Sequence, residues 1–152
     1  MDSKILRSLQ QNARITWSDL AQQLGLSAPA TADRVRKLEE RGLIRGYVAY
    51  MNADCLGYDL TAFIAVTLEH PRDRSEFLAQ VQALVNIQEC HHIVGDGDYL
   101  LKVRCQGTAG LERLISNHIK EIPGVLQTRT TIALSTIKET IALPIVVPDN
   151  PT

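Results

Sequence analysis

Apolar positions return every three or four residues in three short blocks at the start of the chain. Ile5, Leu6 and Leu9 share one side of a helix expected over residues 2–11. Leu20, Ala21 and Leu24 share one side of a second helix. Thr16 starts it as N-cap, with Asp19 three residues on as a weak capping box, and Gly25 ends it. Leu26 is expected to turn inward as the plug of the turn. Ala28, Thr31, Val35 and Leu38 share one side of a third helix, capped by Ser27, with Pro29 in its first turn, and running to about Arg41 before Gly42. Two helices joined by a tight, glycine-containing turn, with a third to close the core, form a helix-turn-helix unit.

The third helix has a second face. Pro29, Ala30, Asp33 and Lys37 lie opposite its apolar side, with Arg34 and Arg36 on the flanks. Its outward start is small and its middle is basic. An element that enters a DNA major groove needs that shape: short side chains for close approach, long cationic ones for phosphates and guanine edges. The segment LIRGYVAYM (43–51) is β-prone and is expected to form a ribbon, giving a winged arrangement with Arg45 near a phosphate. NADCLG (52–57) reads as linker.

Beyond residue 57 the period changes. YDLTAFIAVTLE (58–69) alternates, with Tyr58, Leu60, Ile64, Val66 and Leu68 on one face and Phe63 and Ala65 on the other. SEFLAQVQALV (75–85) places Phe77, Leu78, Val81, Leu84 and Val85 at helical spacing. IQECHHIVG (87–95) and YLLKVRCQG (99–107) read as a hairpin around Gly95-Asp96-Gly97-Asp98. LERLISNHIKEI (111–122) is a helix with Leu111, Leu114, Ile115, His118, Ile119 and Ile122 inward, stopped by Pro123-Gly124. VLQTRTTIALSTIKE (125–139) is a long last strand, and ALPIVVPDNPT an extended tail. The order β-α-β-β-α-β is the split motif of ferredoxin-like domains. The fold class is therefore α+β, with a helix-turn-helix domain at 1–45, a β-ribbon linker at 46–57, a ferredoxin-like domain at 58–142 and a tail at 143–152.

Composition narrows the class. The chain has 152 residues, 45% apolar and 22% charged, as expected of a globular chain. No apolar run approaches the roughly 20 residues of a membrane span, and MDSKILRSLQ is amphipathic, unlike a signal peptide. Net charge is −1, which is unexpected for a DNA binder until it is divided. Residues 1–57 hold eight Lys+Arg and six Asp+Glu, while residues 58–152 hold eight and eleven. Positive charge is biased to the helix-turn-helix end. Cys55, Cys90 and Cys105 lack metal-site spacing and are expected as buried thiols in a reducing cytoplasm.

The phrase LSAPATADRVRKLEERGLIRGYVA, followed by a βαββαβ pattern with GDGDYLLKV in its hairpin and IPGV before its last strand, resembles the Lrp/AsnC, or feast/famine, family of transcription regulators. The resemblance covers nearly the whole chain. It implies a cytoplasmic regulator, not an enzyme, that binds double-stranded DNA, dimerises, and in many members forms octamers. It also implies a small-molecule effector, an amino acid or related metabolite, bound between protomers by the C-terminal domain, with no cofactor. The DNA-facing residues are then Ser27, Ala28, Pro29, Ala30, Asp33, Arg34, Arg36, Lys37, Arg41 and Arg45. Because the helix begins Ala-Pro-Ala, shape readout is expected to supplement base contacts.

The Gly95–Asp98 stretch is a turn in any reading. Its two glycines allow successive N–H groups to point one way, a small anion nest, and Asp98 supplies a carboxylate beside it. A nest for a carboxylate next to an acid for an ammonium suits a free amino acid. Tyr99 follows the turn. Thr131, Ala133 and Ser135 alternate on the last strand as small lining residues. In a sheet of order 4-1-3-2 that strand is expected to lie far from the turn, so a pocket using both needs two chains. His91 and His92 point to opposite faces and cannot chelate one metal; Cys90 and His92 share a face without a four-ligand set. His118 is expected in a core or interface, and Trp17 in packing. Two other classes fit the outline. One is a siroheme-decarboxylase-like enzyme using His91, His92, Arg104 and Arg129. The other is an assembly protein of the same fold that does not bind DNA.

Overall fold

The computed structural model describes residues 1–146, which form two compact units. One comprises residues 1–50 with 140–146, the other Met51–Glu139.

The first unit holds α1 (Asp2–Gln11), α2 (Trp17–Leu24) and α3 (Ala28–Glu40). Ile5, Leu9, Leu20, Val35 and Leu38 form its core, with Leu6, Ile15, Leu24 and Ile44 packed around them. The core is small, so the helix ends matter. Thr16 Oγ1 accepts the Asp19 N–H at 3.1 Å and donates to the Asp19 carboxylate at 2.7 Å. The carboxylate thus takes the hydroxyl, not the Thr16 N–H that a full capping box would use. At the other end Gly25 sits at φ 68°, and Leu26 and Gly25 donate to Ala21 and Gln22. This paired closure needs a left-handed residue, which only glycine adopts without steric cost. The same pair of bonds, from Leu43 to Leu38 and Gly42 to Glu39, closes α3. Buried Thr31 is satisfied through the Ser27 carbonyl at 3.1 Å.

Residues 44–50 are not a strand. Among the described residues no other strand pairs with them, so their β-propensity has no ladder to join. Tyr47 instead donates its phenol to Glu39 at 2.9 Å, tying the segment to α3. Trp17, expected in packing, is 43% exposed at the start of α2.

The second unit contains β1 (Leu60–Leu68), α4 (Arg74–Ala83), β2 (Ile87–His92), β3 (Tyr99–Cys105), α5 (Gly107–Leu114) and β4 (Val125–Ile132). The sheet is antiparallel throughout, in the order β2-β3-β1-β4 expected of the split motif. One face, with Ala62, Ile64, Val66, Leu101 and Val103, packs on Phe77, Val81, Leu111, Leu114 and Ile119 from the helical layer. Phe77 and Tyr99 meet with ring centroids 4.9 Å apart. The other face carries no helix. Phe63, 38% exposed, lies there, and its register partners are Lys102 on β3 and Thr131 on β4.

Several expectations change. The last strand stops at Ile132, because the chain leaves the sheet; only the Ala133 N–H still bonds, to Thr61. Ala133 and Ser135 are therefore not strand residues. The second helix of this unit begins at Gly107, earlier than expected, and passes into a π-turn at Ile115–Ile119, closed by Lys120 N–H to Ile115. The extra residue in that turn moves the helical face, and His118 becomes exposed rather than core. β2 ends at His92, not at residue 95. Tyr58 precedes β1, and Val85 lies past the end of α4, 91% exposed. Of the three cysteines expected to be buried, Cys55 is exposed, on a 3₁₀ turn; burial pushes the Cys90 and Cys105 thiols up. Residues 147–152, the end of the expected tail, lie outside the described residues. No described helix is long and apolar enough to cross a membrane.

Candidate functional site

The third helix presents its outward face as its pattern requires. Thr31, Val35 and Leu38 are buried; Pro29, Ala30, Arg34, Arg36 and Lys37 are exposed, and Ala28 and Asp33 half-buried. The basic side chains are not idle. Asp33 holds Arg36 at 2.5 Å and Lys37 at 2.7 Å, and Arg36 also reaches Glu40 at 3.2 Å. The Lys37 and then the Arg36 hydrogen bonds hold the Asp33 carboxyl below its usual range. Asp2, in the first turn of α1, takes Arg34 at 3.4 Å and Arg41 at 3.6 Å. Such exposed pairs contribute little to stability, so a phosphate can replace the carboxylate partner at small cost. Ser27 caps the helix by accepting the Ala30 N–H at 3.4 Å. Arg45 is exposed on the segment after the helix, two residues before the Tyr47 anchor. Partial burial, and then the Glu39 carboxylate, push the Tyr47 phenol up to about 12. The Tyr47 anchor and the role of Asp2 were not visible in the sequence, because both pair residues from separate elements.

The β2–β3 turn is built differently from its sequence outline. The ladder between β1 and β3 ends at Val66↔Tyr99, and the register of β1 against β4 shifts between Thr67 and Leu68. Asp98 continues the ladder where it would lapse. Its N–H donates to Val66 at 2.9 Å, its carbonyl accepts from Ile93, and its carboxylate takes the Leu68 N–H at 2.7 Å. One carboxylate oxygen thus has a structural partner. Gly97, at φ 100°, lies so close to β1 that a Cβ there would come 3.0 Å from the Val66 carbonyl oxygen. The N–H groups of Gly95, Asp96 and Gly97 donate to no acceptor among the described residues.

The other residues singled out around this turn do not gather there. Tyr99 is 3% exposed and faces the core, against Phe77 and His92. Thr131 pairs with Phe63, and Ala133 bonds Thr61, toward the far end of β1 from the turn; Ser135 is exposed beyond the strand. β4 is nevertheless not remote as a whole. Arg129 reaches the turn within the same chain, its Nη1 2.7 Å from Asp96 Oδ2. Antiparallel pairing brings the start of β4 beside the end of β1, where the turn docks, and a long arginine spans the remainder.

The four residues of an enzyme reading do not all share one face of the sheet, and each has a separate partner. His91 contacts Glu89 at 3.0 Å, His92 stacks on Tyr99 on the opposite face, Arg104 is bound by Glu139, and Arg129 by Asp96. Among the described residues no three His, Cys, Asp or Glu side chains are grouped to hold a metal.

Comparison with known proteins agrees with this division of labour. Residues 1–45 match the model of a winged helix-turn-helix DNA-binding domain, and residues 61–143 that of the Lrp/AsnC ligand binding domain. The leucine-responsive regulatory protein of Haemophilus influenzae is 40% identical over 142 residues, covering 92% of this chain and 86% of its own. A transcriptional regulator of Neisseria meningitidis, solved with L-methionine, superposes with a TM-score of 0.89 at 29% identity over 94% of each chain. The feast or famine regulatory protein of M. tuberculosis, also with L-methionine, gives 0.84 at 34% identity, over 92% of this chain and 94% of that one. With its DNA-binding helix-turn-helix and its βαββαβ ligand domain in one chain, this protein belongs to the Lrp/AsnC family of transcriptional regulators.

Proposed function

We propose that the protein is a cytoplasmic regulator that binds DNA as a dimer or larger assembly through α3 and answers to a free amino acid at the Gly95–Asp98 turn. The observation that carries the DNA half is the exposed face of α3. It starts with small Pro29 and Ala30 and carries Arg34, Arg36 and Lys37 on an element fixed by three buried residues. Small residues let the backbone approach the groove floor; Arg34 reaches a base edge, Lys37 and Arg36 the phosphates. Arg41 and Arg45, at the end of and after the helix, are suited to flanking phosphates, and the Ser27 cap keeps the helix start ordered. A pair of recognition helices in a two-fold dimer reads half-sites roughly 34 Å apart, one turn of B-DNA.

The effector half rests on the unbonded N–H groups of Gly95, Asp96 and Gly97 beside Asp98. The nest would take the carboxylate of an amino acid, and the Asp98 oxygen not held by Leu68 its ammonium. Two relatives of the same fold were solved with L-methionine, which favours this class of ligand. Thr131, Ala133 and Ser135 cannot join that site from the same chain; they would line it only from another protomer. Self-association is further supported by the open sheet face, where Phe63 is exposed with no helix over it. The proposed domain division follows: DNA binding in 1–45, connection in 46–57, effector binding and assembly in 58–142, and a tail in 143–152. The test is a calorimetric screen of the twenty amino acids, with mass measurement alongside. Binding of one of them, weakened by Asp98→Asn and shifting the oligomer distribution, is the expected result. No binding at millimolar concentration would leave the second domain an assembly module.

A further inference from the structure

The Gly95–Asp98 turn is charged against the anion it invites. Its unbonded N–H groups suit a carboxylate, yet Asp96 and Asp98 already place two carboxylates on the same four residues. Like charges a few ångströms apart disfavour each other, and more so where water is partly excluded. A ligand carboxylate on those N–H groups would face both acids. The turn needs a cation before it can take an anion.

Arg129 supplies one. Among the described residues it is the one Lys or Arg ion-paired with the turn, its Nη1 2.7 Å from Asp96 Oδ2. All of these residues lie within one compact unit, Met51–Glu139. Arg129 stands on β4 opposite Ala65 of β1, so the two side chains share the open face of the sheet. The turn approaches the same face, since a Cβ on Gly97 would come 3.5 Å from Thr67 Oγ1, two residues along β1 from Ala65. Ala65 is short and leaves the guanidinium a path across β1. Asp96 carries its carboxylate on a single carbon, so the guanidinium it holds lies beside the Asp96 N–H, the middle one of the three.

This pair is loosely held. The Arg129 and Asp96 side chains are 64% and 85% exposed, and exposed pairs add little to stability. Only Nη1 is engaged; the other guanidinium nitrogens have no partner among the described residues. A guanidinium presents its donors as a planar fork that matches a carboxylate. Arg129 can therefore keep Asp96 and donate to a second carboxylate, or exchange one for the other at small cost.

We propose that Arg129 is a specificity-determining residue of the effector turn: it offsets the Asp96 charge and binds the ligand carboxylate together with the N–H groups of Gly95, Asp96 and Gly97. This role rests on the effector function proposed above and narrows its ligand. Asp96 is compensated by Arg129, and Asp98 remains for the ammonium. That balance selects a zwitterion, a free α-amino acid. Without Arg129 the turn holds two acids and no cation, and the advantage of a free carboxylate over a neutral amide is lost.

The experiment is calorimetry on full-length wild type, Asp98→Asn, Arg129→Gln, Asp96→Asn and the Asp96→Asn/Arg129→Gln double variant. The probes are the twenty L-amino acids and, for each one that binds wild type, its primary amide, which keeps the ammonium and side chain but lacks the carboxylate. Arg129→Gln is expected to weaken the amino acid about tenfold, the size of one charge-assisted hydrogen bond, and to leave binding of the amide unchanged. Removing the Asp96 charge as well should restore about threefold, because the uncompensated repulsion goes with it. Equal losses for the amino acid and its amide would make Arg129 a prop of the turn and overturn the proposal. A double variant no better than Arg129→Gln would overturn it too. Binding weakened by Asp98→Asn but not by Arg129→Gln would leave the effector reading standing and remove Arg129 from it. If none of the twenty binds wild type at millimolar concentration, the effector reading and the role of Arg129 fall together.

Discussion

Asp98 offers a test that separates a structural role from a ligand role. Its carboxylate accepts the Leu68 N–H at 2.7 Å where the β1–β3 ladder has ended and the β1–β4 register shifts. Asp98→Ala removes that acceptor. A hydrogen bond to a charged group is worth about 1.5–3 kcal/mol; Leu68 and Asp98 are both half-buried, so water can partly replace the lost partner. A loss of about 2 kcal/mol is expected. Asp98→Asn keeps a carbonyl oxygen for the Leu68 N–H, and neutral bonds are worth about 1 kcal/mol. It should therefore cost about half as much. The assay is urea unfolding followed by far-UV circular dichroism. Trp17, the sole tryptophan, sits on α2 in the other unit. Its fluorescence transition should move less than the dichroism transition if the units unfold separately. Should the alanine and asparagine variants both melt within about 0.3 kcal/mol of wild type, a margin typical of neutral surface changes, the bond does not hold the turn. Equal destabilisation would mean that the charge matters and the acceptor geometry does not.

Gly97→Ala should destabilise the second unit by about 1–3 kcal/mol, because a side chain at φ 100° is strained and its Cβ presses on the Val66 carbonyl; wild-type urea stability would refute the close approach. The Lys102 hydrogen bond, followed by its charge and that of Arg104, holds the Glu139 carboxyl below its ordinary 4.5. Its contribution is complete above that value and is lost as pH falls through the depressed one. Stability of wild type should therefore drop more steeply below about pH 4.5 than that of Glu139→Gln; parallel curves would contradict it. Phe63→Asp places a charge on the open sheet face without touching the core. Sedimentation should show a lighter species at micromolar concentration, and an unchanged mass would remove that face from the assembly interface.

What the sequence made legible was whatever depends on one element at a time. The periodicity of Leu20, Ala21 and Leu24, and of Thr31, Val35 and Leu38, was enough to orient two helices. Gly25 and Gly42 marked their ends because a left-handed residue is a local requirement. The period-two pattern of β1 and the order βαββαβ were enough for the sheet. Pairings across elements were not visible. Nothing in GDGDY indicates that Asp98 serves Leu68, thirty residues earlier, or that Arg129 will reach Asp96. VLQTRTTIALSTIKE was expected to be strand throughout, yet the strand ends at Ile132, and Glu139 meets Lys102 and Arg104 of β3, a pairing across elements that the sequence does not display. LIRGYVAYM failed as a ribbon for the complementary reason: propensity without a partner strand makes no ladder. For the same reason the exposed face of α3 followed from one helical period, whereas the surroundings of the Gly95–Asp98 turn depend on pairings across elements.

The central claim is that the exposed face of α3 reads DNA, and a salt titration of binding to a two-half-site duplex tests it most directly. Arg34 is paired with Asp2 and Lys37 with Asp33; the proposed DNA contacts require both to exchange a carboxylate for a base edge or a phosphate. Arg34→Ala should weaken binding by about 1–3 kcal/mol and relax discrimination at one base pair. Lys37→Ala should weaken all sequences alike and make the slope of log affinity against log salt shallower by about 0.9. Binding by both variants with the wild-type affinity, specificity and salt slope would contradict the account.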